Sequence, residues 1–183
     1  MNEPDQITDL HARLSEHRFD VLFVNAGVAN ANPHGTLAET PTEEFVRVMV
    51  TNALGPMRVV EGLQDLVVPD GVIGVMSSGQ GSIGNNTKGR NEIYRGTKAA
   101  LNQYMRSYAA RPAAEPRALV LMAPGWIRTE MGGPNAPFSV EETIPKVVNV
   151  LVAQRGKPGL RYLDREGGHR TLVSPRVGEA TAA

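Results

Sequence analysis

Four short apolar runs, interleaved with longer segments of helical period, restrict this chain more than any other feature. They are Phe19 to Val24 (F-D-V-L-F-V), Val72 to Met76 (V-I-G-V-M), Ala118 to Met122 (A-L-V-L-M) and Leu160 to Leu163 (L-R-Y-L). Their shortness and near-continuous apolar character suit strands buried on both faces, as in a parallel sheet, rather than strands with one wet side. Strands alternating with helices imply βαβ units with right-handed crossovers, hence an α/β fold. In such sheets ligands bind at the carboxyl ends of the strands. The polar and glycine-rich stretches stand there: Asn25-Ala26-Gly27, Ser77-Ser78-Gly79 and Pro124-Gly125-Trp126.

The helices carry their own punctuation. Asn2 reads as an N-cap with Glu3, Pro4 and Asp5 in the first turn, and Ile7, Leu10 and Leu14 give one apolar face of a helix ending near Arg18. Thr40-Pro41-Thr42-Glu43 reads as a capping box. The helix it opens has Phe45, Met49, Ala53, Met57, Val60 and Leu63 at helical spacing, with Gly55-Pro56 predicting a kink or break. A third helix is expected from about Glu92 to Arg111. A fourth is opened by the capping box Ser139-Val140-Glu141-Glu142 and runs to about Gln154, with Pro145 early in it. The expected organisation is one domain over residues 1–173 and a mobile tail over 174–183.

Composition removes several function classes. There is no cysteine, so disulfides, thiolate metal sites and a Cys nucleophile are excluded, and the four histidines are scattered, so no metal site is expected. Lys plus Arg equal Asp plus Glu at 19 each, which gives no field for nucleic acid or an anionic membrane. No apolar stretch approaches the length of a membrane span, and the first residues are acidic and polar, unlike a signal peptide. A cytoplasmic chain with no nucleic-acid or membrane partner is the expectation.

Tyr94 and Lys98 stand four apart in a predicted helix, which puts them on one face. A tyrosine ordinarily titrates near pH 10, and an adjacent ammonium lowers that value, so the pair can exchange a proton with an alcohol or carbonyl. Taken alone, such a pair is more often an exposed surface feature. Ser78, just past a strand and sixteen residues before Tyr94, could hydrogen-bond the same substrate oxygen. Asn52 lies mid-helix among apolar residues, where its amide needs partners, structural or catalytic.

Asn25-Ala-Gly, Asn52, Ser77-Ser78, Tyr94-x-x-x-Lys98 and Pro124-Gly-Trp-Ile-Arg-Thr129 occur in that order, each at a strand end or on the following helix. From about residue 1 to 167 the chain resembles the short-chain dehydrogenase/reductases. The strings S-S-G-Q-G-S-I, Y-R-G-T-K-A-A-L-N and P-G-W-I-R-T-E-M make it most similar to the C-factor-like subgroup. The resemblance implies a Rossmann-like three-layer parallel sheet and an NAD(P)-dependent oxidoreductase acting on a small-molecule carbonyl or secondary alcohol. It makes Tyr94 the general acid/base. Lys98 would depress the Tyr94 pKa and hold the nicotinamide ribose. Ser78 would polarise the carbonyl, and Asn52 would position a water linking Lys98 to solvent. Asn25, Ala26 and Gly27 would approach the cofactor at the first strand end. Pro124 and Gly125 would line the nicotinamide face, with Ile127 and Thr129 holding its carboxamide. A homodimer or homotetramer through the helices at 41–67 and 92–111 is implied as well.

The chain departs from the family pattern in three ways. Val24 stands where the family often has a second Asn, and Asn85 to Arg90 look like an insertion that leaves Ser77 and Ser82 as neighbours of the chosen serine. Nothing like the family's T-G-x-x-x-G-x-G precedes Asn25, so the N-terminal βαβαβ half, about 50–60 residues, is expected to be absent. Gly79-Gln-Gly81-Ser-Ile-Gly84 spells G-x-G-x-x-G, but no amphipathic helix and no acid about 20 residues on accompany it. Weak or absent NAD or NADP binding follows, along with an apolar edge strand at 19–24 open to pairing. Two other readings follow too: a non-catalytic remnant acting as an interaction or signalling module, or a longer reductase in which Met1 is internal.

Overall fold

The computed structural model describes residues 3–112 and 117–173. Helix α1 (Pro4–Leu14) precedes β1 (Phe19–Val24). Helix α2 (Thr42–Met49), a π-helical turn (Val50–Leu54) and α3 (Gly55–Leu63) lead to β2 (Val67–Met76). Then follow α4 (Glu92–Ala109), β3 (Ala118–Ala123), α5 (Val140–Val152) and β4 (Gly159–Asp164). The four strands are all parallel, in the order β1-β2-β3-β4. Every residue of β3 is buried, as its unbroken apolar run requires.

Alternate residues face opposite sides of the sheet and fill two cores. Val24, Ile73, Val75, Leu119, Leu121 and Tyr162 meet Ala53, Met57 and Val60 of the α2–α3 region and Leu101, Met105 and Tyr108 of α4. Val72, Ala118, Val120, Met122 and Leu163 meet Val147 and Leu151 of α5. The sheet is therefore the middle of three layers. Because the strands advance in one direction while α5 lies on the opposite face from α3 and α4, the β3–α5–β4 crossover has the opposite hand to the other two. The sequence expectation of uniformly right-handed crossovers fails there. The long connection 124–139 carries the chain to the other face, and a crossover rule that holds for compact βαβ units does not bind it.

Several local expectations shift. Asn2 lies outside the described residues. Helix α1 starts with Pro4 at its first position and ends at Leu14, where Arg18 donates to the carbonyls of Ser15 and His17, rather than near Arg18 itself. Of its predicted apolar face Ile7 is buried, against Gly62 of α3, while Leu10 is exposed. The Thr40 capping box does not form: Pro41 holds the N-cap position, and the Thr40 hydroxyl donates to the Thr36 carbonyl instead. The Ser139–Glu142 box does form, and α5 runs unbroken through Pro145. Strand β2 begins five residues earlier than its apolar run, because a bulge against β1 accommodates Pro69-Asp70-Gly71. Helix α4 ends at Ala109, two residues before the expected stop. The tail predicted from Ser174 lies outside the described residues.

Candidate active site

The carboxyl ends of β1, β2 and β3 lie side by side, and the turns that follow them meet the first half of α4. The kink expected at Gly55-Pro56 is taken up as a π turn, with the Gly55 N–H bonding to the Val50 carbonyl five residues back. Pro56 has no N–H to give the Asn52 carbonyl four residues earlier. The Asn52 side chain is fully buried in this turn. Its Oδ1 accepts from Val28 N at 2.7 Å, and its Nδ2 donates to Val28 O at 2.8 Å and to Thr97 Oγ1 at 3.0 Å. Thr97 in turn donates to the Tyr94 carbonyl at 2.9 Å. Asn52 thus joins the segment after β1 to α4.

Ser78 caps the short 3-10 turn Gly79–Gly81, its Oγ accepting from Gln80 N at 3.2 Å. One lone pair is occupied, and the hydroxyl proton remains to be donated. That hydroxyl stands close enough to the Tyr94 phenol to lower its pKa by hydrogen bonding. The two neighbouring serines are engaged elsewhere: Ser77 Oγ bonds Asn102 Oδ1 at 2.5 Å, and Ser82 Oγ donates to the Leu172 carbonyl at 3.5 Å. Of the G-x-G-x-x-G string, Gly81 serves packing. A Cβ on Gly81 would lie 2.9 Å from the Lys98 backbone, so this turn needs glycine to rest on α4.

The Lys98 ammonium is buried, 2% exposed. It donates to the Met76 carbonyl at 2.8 Å and lies 5.7 Å from the centre of the Tyr94 ring. Burial lowers its pKa to about 8. The Tyr94 phenol is pushed upward, also by burial, and Ser78 is the group that opposes this. The expected depression of Tyr94 by Lys98 is therefore not what this geometry gives. The ammonium gives one N–H to a backbone carbonyl, and desolvation outweighs the rest.

Gly27 faces the same spot. A Cβ there would lie 3.3 Å from Lys98 Nζ and 3.5 Å from Asn52 Oδ1. Asn25 and Ala26 are exposed at the end of β1. At the end of β3, Pro124 is buried and Gly125 takes φ +97°, a left-handed conformation suited to glycine. Arg165 Nη1 donates to Pro124 O at 3.3 Å, and its guanidinium lies 3.6 Å from the centre of the Phe138 ring. Ile127 pairs with Phe138 by a parallel bridge. Thr129 closes its own turn, its Oγ1 accepting from Gly132 N at 3.0 Å. Of the predicted set, Asn52, Lys98 and Gly27 come together, as do Ser78 and Tyr94. Pro124, Gly125, Ile127 and Thr129 stand on the loop after the adjacent strand.

Sequence reasoning passed over Thr97, Asn102 and Tyr162. Tyr162 Oη donates to the Ser78 carbonyl at 2.5 Å. No spacing links Tyr162 to Ser78; only the sheet order brings them together. Thr97 carried a weak signal, as a hydroxyl between Tyr94 and Lys98 on the same helix. Among the described residues, no group of three or more His, Asp or Glu could hold a metal, and no helix is long and apolar enough to cross a membrane.

Comparison with known proteins places this geometry. Residues 1–152 match the family model described as enoyl-(acyl carrier protein) reductase. C-signal of Myxococcus xanthus is 31% identical over 150 residues, covering 81% of this chain and 89% of that protein. The 1-hydroxy-2-glutathionyl-2-methyl-3-butene dehydrogenase of Rhodococcus sp. is 30% identical over 129 residues, and there the match spans 56% of the relative. A short-chain dehydrogenase/reductase from Burkholderia multivorans, solved with bound NADP, superposes with a TM-score of 0.89 at 58% identity, covering 94% of this chain and 74% of that one. A carbonyl reductase from Pseudomonas aeruginosa in complex with NADP gives 0.83 at 34% identity, over 93% and 74%. A parallel sheet with Ser78 past one strand end, Asn52 in the π turn and Tyr94 and Lys98 on α4, together with these matches, makes the chain a member of the short-chain dehydrogenase/reductase family of oxidoreductases.

Proposed function

We propose that this chain exchanges a hydride between NAD(P) and a small-molecule carbonyl or secondary alcohol, with Tyr94 as general acid/base. The observation that carries the reading is the buried Lys98 ammonium 5.7 Å from the centre of the Tyr94 ring, with Gly27 open beside it, at the ligand-binding end of a parallel sheet. The residues fit the nicotinamide end of the cofactor. Gly27 leaves open the space that a Cβ would fill beside Lys98 and Asn52. Among the described residues Lys98 has one hydrogen-bond acceptor, Met76 O, for three N–H donors, which suits it to ribose hydroxyls.

When bound, the nicotinamide gives or takes the hydride. Ser78 donates to the carbonyl oxygen and fixes its position. Tyr94 transfers its phenolic proton to that oxygen, and its raised pKa keeps the proton available at neutral pH. Lys98, whose ammonium lies 5.7 Å from the centre of the Tyr94 ring, would hold the ribose hydroxyls beside that phenol. Asn52 holds the floor of the site and positions the water through which Lys98 reaches solvent. Pro124 and Gly125 would line the nicotinamide face, and Ile127 and Thr129 would hold its carboxamide. A homodimer or homotetramer through α2, α3 and α4 is supported by the exposure of Phe45, Val46, Leu54 and Tyr104.

Calorimetric titration with NADPH and NADH, followed by cofactor-dependent turnover of an aldehyde and ketone panel, tests the reading. Binding, with turnover lost in Tyr94→Phe, supports it. No binding at millimolar cofactor overturns it for this chain. The similarity to C-signal favours one alternative, an interaction or signalling role without catalysis. That role predicts a cellular effect unchanged by Tyr94→Phe.

A further inference from the structure

We propose that Tyr162 is a positioning residue for Ser78: its phenol reaches from β4 to the end of β2 and fixes the Ser78 peptide, and through it the hydroxyl that faces Tyr94. The proposal rests on reading Ser78 and Tyr94 as the catalytic pair. Tyr162 is 5% exposed, and its Oη donates to the Ser78 carbonyl at 2.5 Å. In register it stands beside Leu121 on β3, so the phenol spans a strand to reach its acceptor. A phenylalanine would fill the same core. The hydroxyl adds a second donor, from β4, to a part-buried carbonyl that already accepts from Gly81 N at 2.8 Å within its own turn.

The surroundings make this a latch rather than one contact. Asn102 of α4 holds Ser77 on one side of Ser78, by its Oδ1, and Gly81 on the other, its Nδ2 donating to that carbonyl at 3.1 Å. Asn102 and Ser77 also act on the Tyr162 phenol, lowering its pKa against the larger effect of burial. With the residues around it pinned from α4 and its own carbonyl pinned from β4, Ser78 keeps only its hydroxyl free to turn. The charged and titratable groups that face Tyr162 are Arg170 and Tyr94, and burial together with Tyr94 keeps Tyr162 protonated when Tyr94 ionises. The donor is thus present at the moment the site works.

The test is Tyr162→Phe, read by a ¹³Cζ-tyrosine NMR titration of Tyr94 in the cofactor-free chain, with Tyr94→Phe for assignment and Ser78→Ala for comparison. The Ser78 contact lowers the Tyr94 pKa, so its loosening moves the Tyr94 midpoint upward, in the same direction as Ser78→Ala. In turnover, kcat falls about tenfold or more while KM for the carbonyl stays nearly constant, the signature of a displaced group and not of lost binding. A folded Tyr162→Phe with the parent midpoint overturns the proposal, and so does a Ser78→Ala that leaves Tyr94 unmoved. Should Tyr162→Phe fail to fold, 3-fluorotyrosine at position 162 keeps the volume and alters the donor. A moved Tyr94 midpoint then supports the latch, and an unmoved one overturns it. A parent without turnover overturns the redox reading alone, because the NMR arms decide the latch without catalysis.

Discussion

The side chain of Asn52 pairs with the backbone of Val28 as a neighbouring strand would, accepting from its N–H at 2.7 Å and donating to its carbonyl at 2.8 Å. This two-way bond ties the π turn to the segment after β1, and it sets Gly27 against Lys98. The polar side chain that sequence patterning flagged as out of place mid-helix is therefore a strut. Its third bond, to Thr97, runs the same brace on to the carbonyl of Tyr94.

Replacement of Asn52 by Leu keeps its volume and removes all three bonds. The Val28 N–H and carbonyl lose a buried partner, and each unsatisfied group costs about 1–3 kcal/mol. Asn52→Leu should therefore lower unfolding free energy by about 2–6 kcal/mol, measured by urea denaturation. A loss below about 1 kcal/mol would show that the brace is dispensable.

Much of this arrangement was legible beforehand. Runs such as Phe19 to Val24 were readable as strands because both faces of a central sheet demand apolar residues, and β1 has those bounds in the structure. The order of Asn52, Ser78, Tyr94 and Lys98 was readable because each stands at a strand end or on the following helix. What escaped depends on tertiary geometry. The placement of α5 on the far face follows from a connection of no fixed hand. Tyr162 meets Ser78 across an intervening strand, which leaves no trace in spacing. The ammonium of Lys98 was expected to serve Tyr94, but burial and the Met76 carbonyl govern it, and neither is written in a Y-x-x-x-K string.

Two glycines near Lys98 should respond differently to a methyl group. At Gly27 the nearest atom is Lys98 Nζ at 3.3 Å, the end of a flexible side chain that can shift by a few tenths of an ångström. At Gly81 the new Cβ meets the backbone C and O of Lys98 at 2.9 Å, inside a helix that cannot give way. Gly81→Ala should cost about 1–3 kcal/mol, as overpacking does, and Gly27→Ala less than about 1 kcal/mol. Thermal melting of the two variants side by side checks the order, and the reverse order would contradict the packing described for the 3-10 turn.

The buried lysine also makes stability depend on pH. Its pKa is lowered from 10.5 to about 8 in the folded chain. Between those values the unfolded chain binds a proton that the folded chain does not, so stability rises with pH across that window and the penalty is complete below it. Between pH 7.5 and 9.5 the gain is about 2 kcal/mol. Raised tyrosine pKa values act in the opposite sense, but only near and above pH 10. Lys98→Met removes the lysine contribution, so urea unfolding of parent and variant at the two pH values should give a difference of about that size. Parallel pH dependences in the two proteins would refute it.

Cofactor binding should be linked to the same proton. If ribose hydroxyls take hydrogen bonds from Lys98, the bound state favours the ammonium and raises its pKa above the value near 8 that burial imposes. Below about pH 8 the ammonium is already present and affinity is insensitive to pH. Above it, binding must recharge the lysine, so Kd for NADPH should rise about tenfold per pH unit until the bound-state pKa is reached, with uptake of a proton. Calorimetry at pH 9 in buffers of different ionisation enthalpy measures that uptake directly. Lys98→Met should bind more weakly at pH 7 and show no uptake, whereas Lys98→Arg, whose guanidinium stays charged, should show a flat Kd from pH 7 to 10. A parent whose Kd is flat over the same range would remove Lys98 from the ribose site while leaving its bond to Met76 untouched.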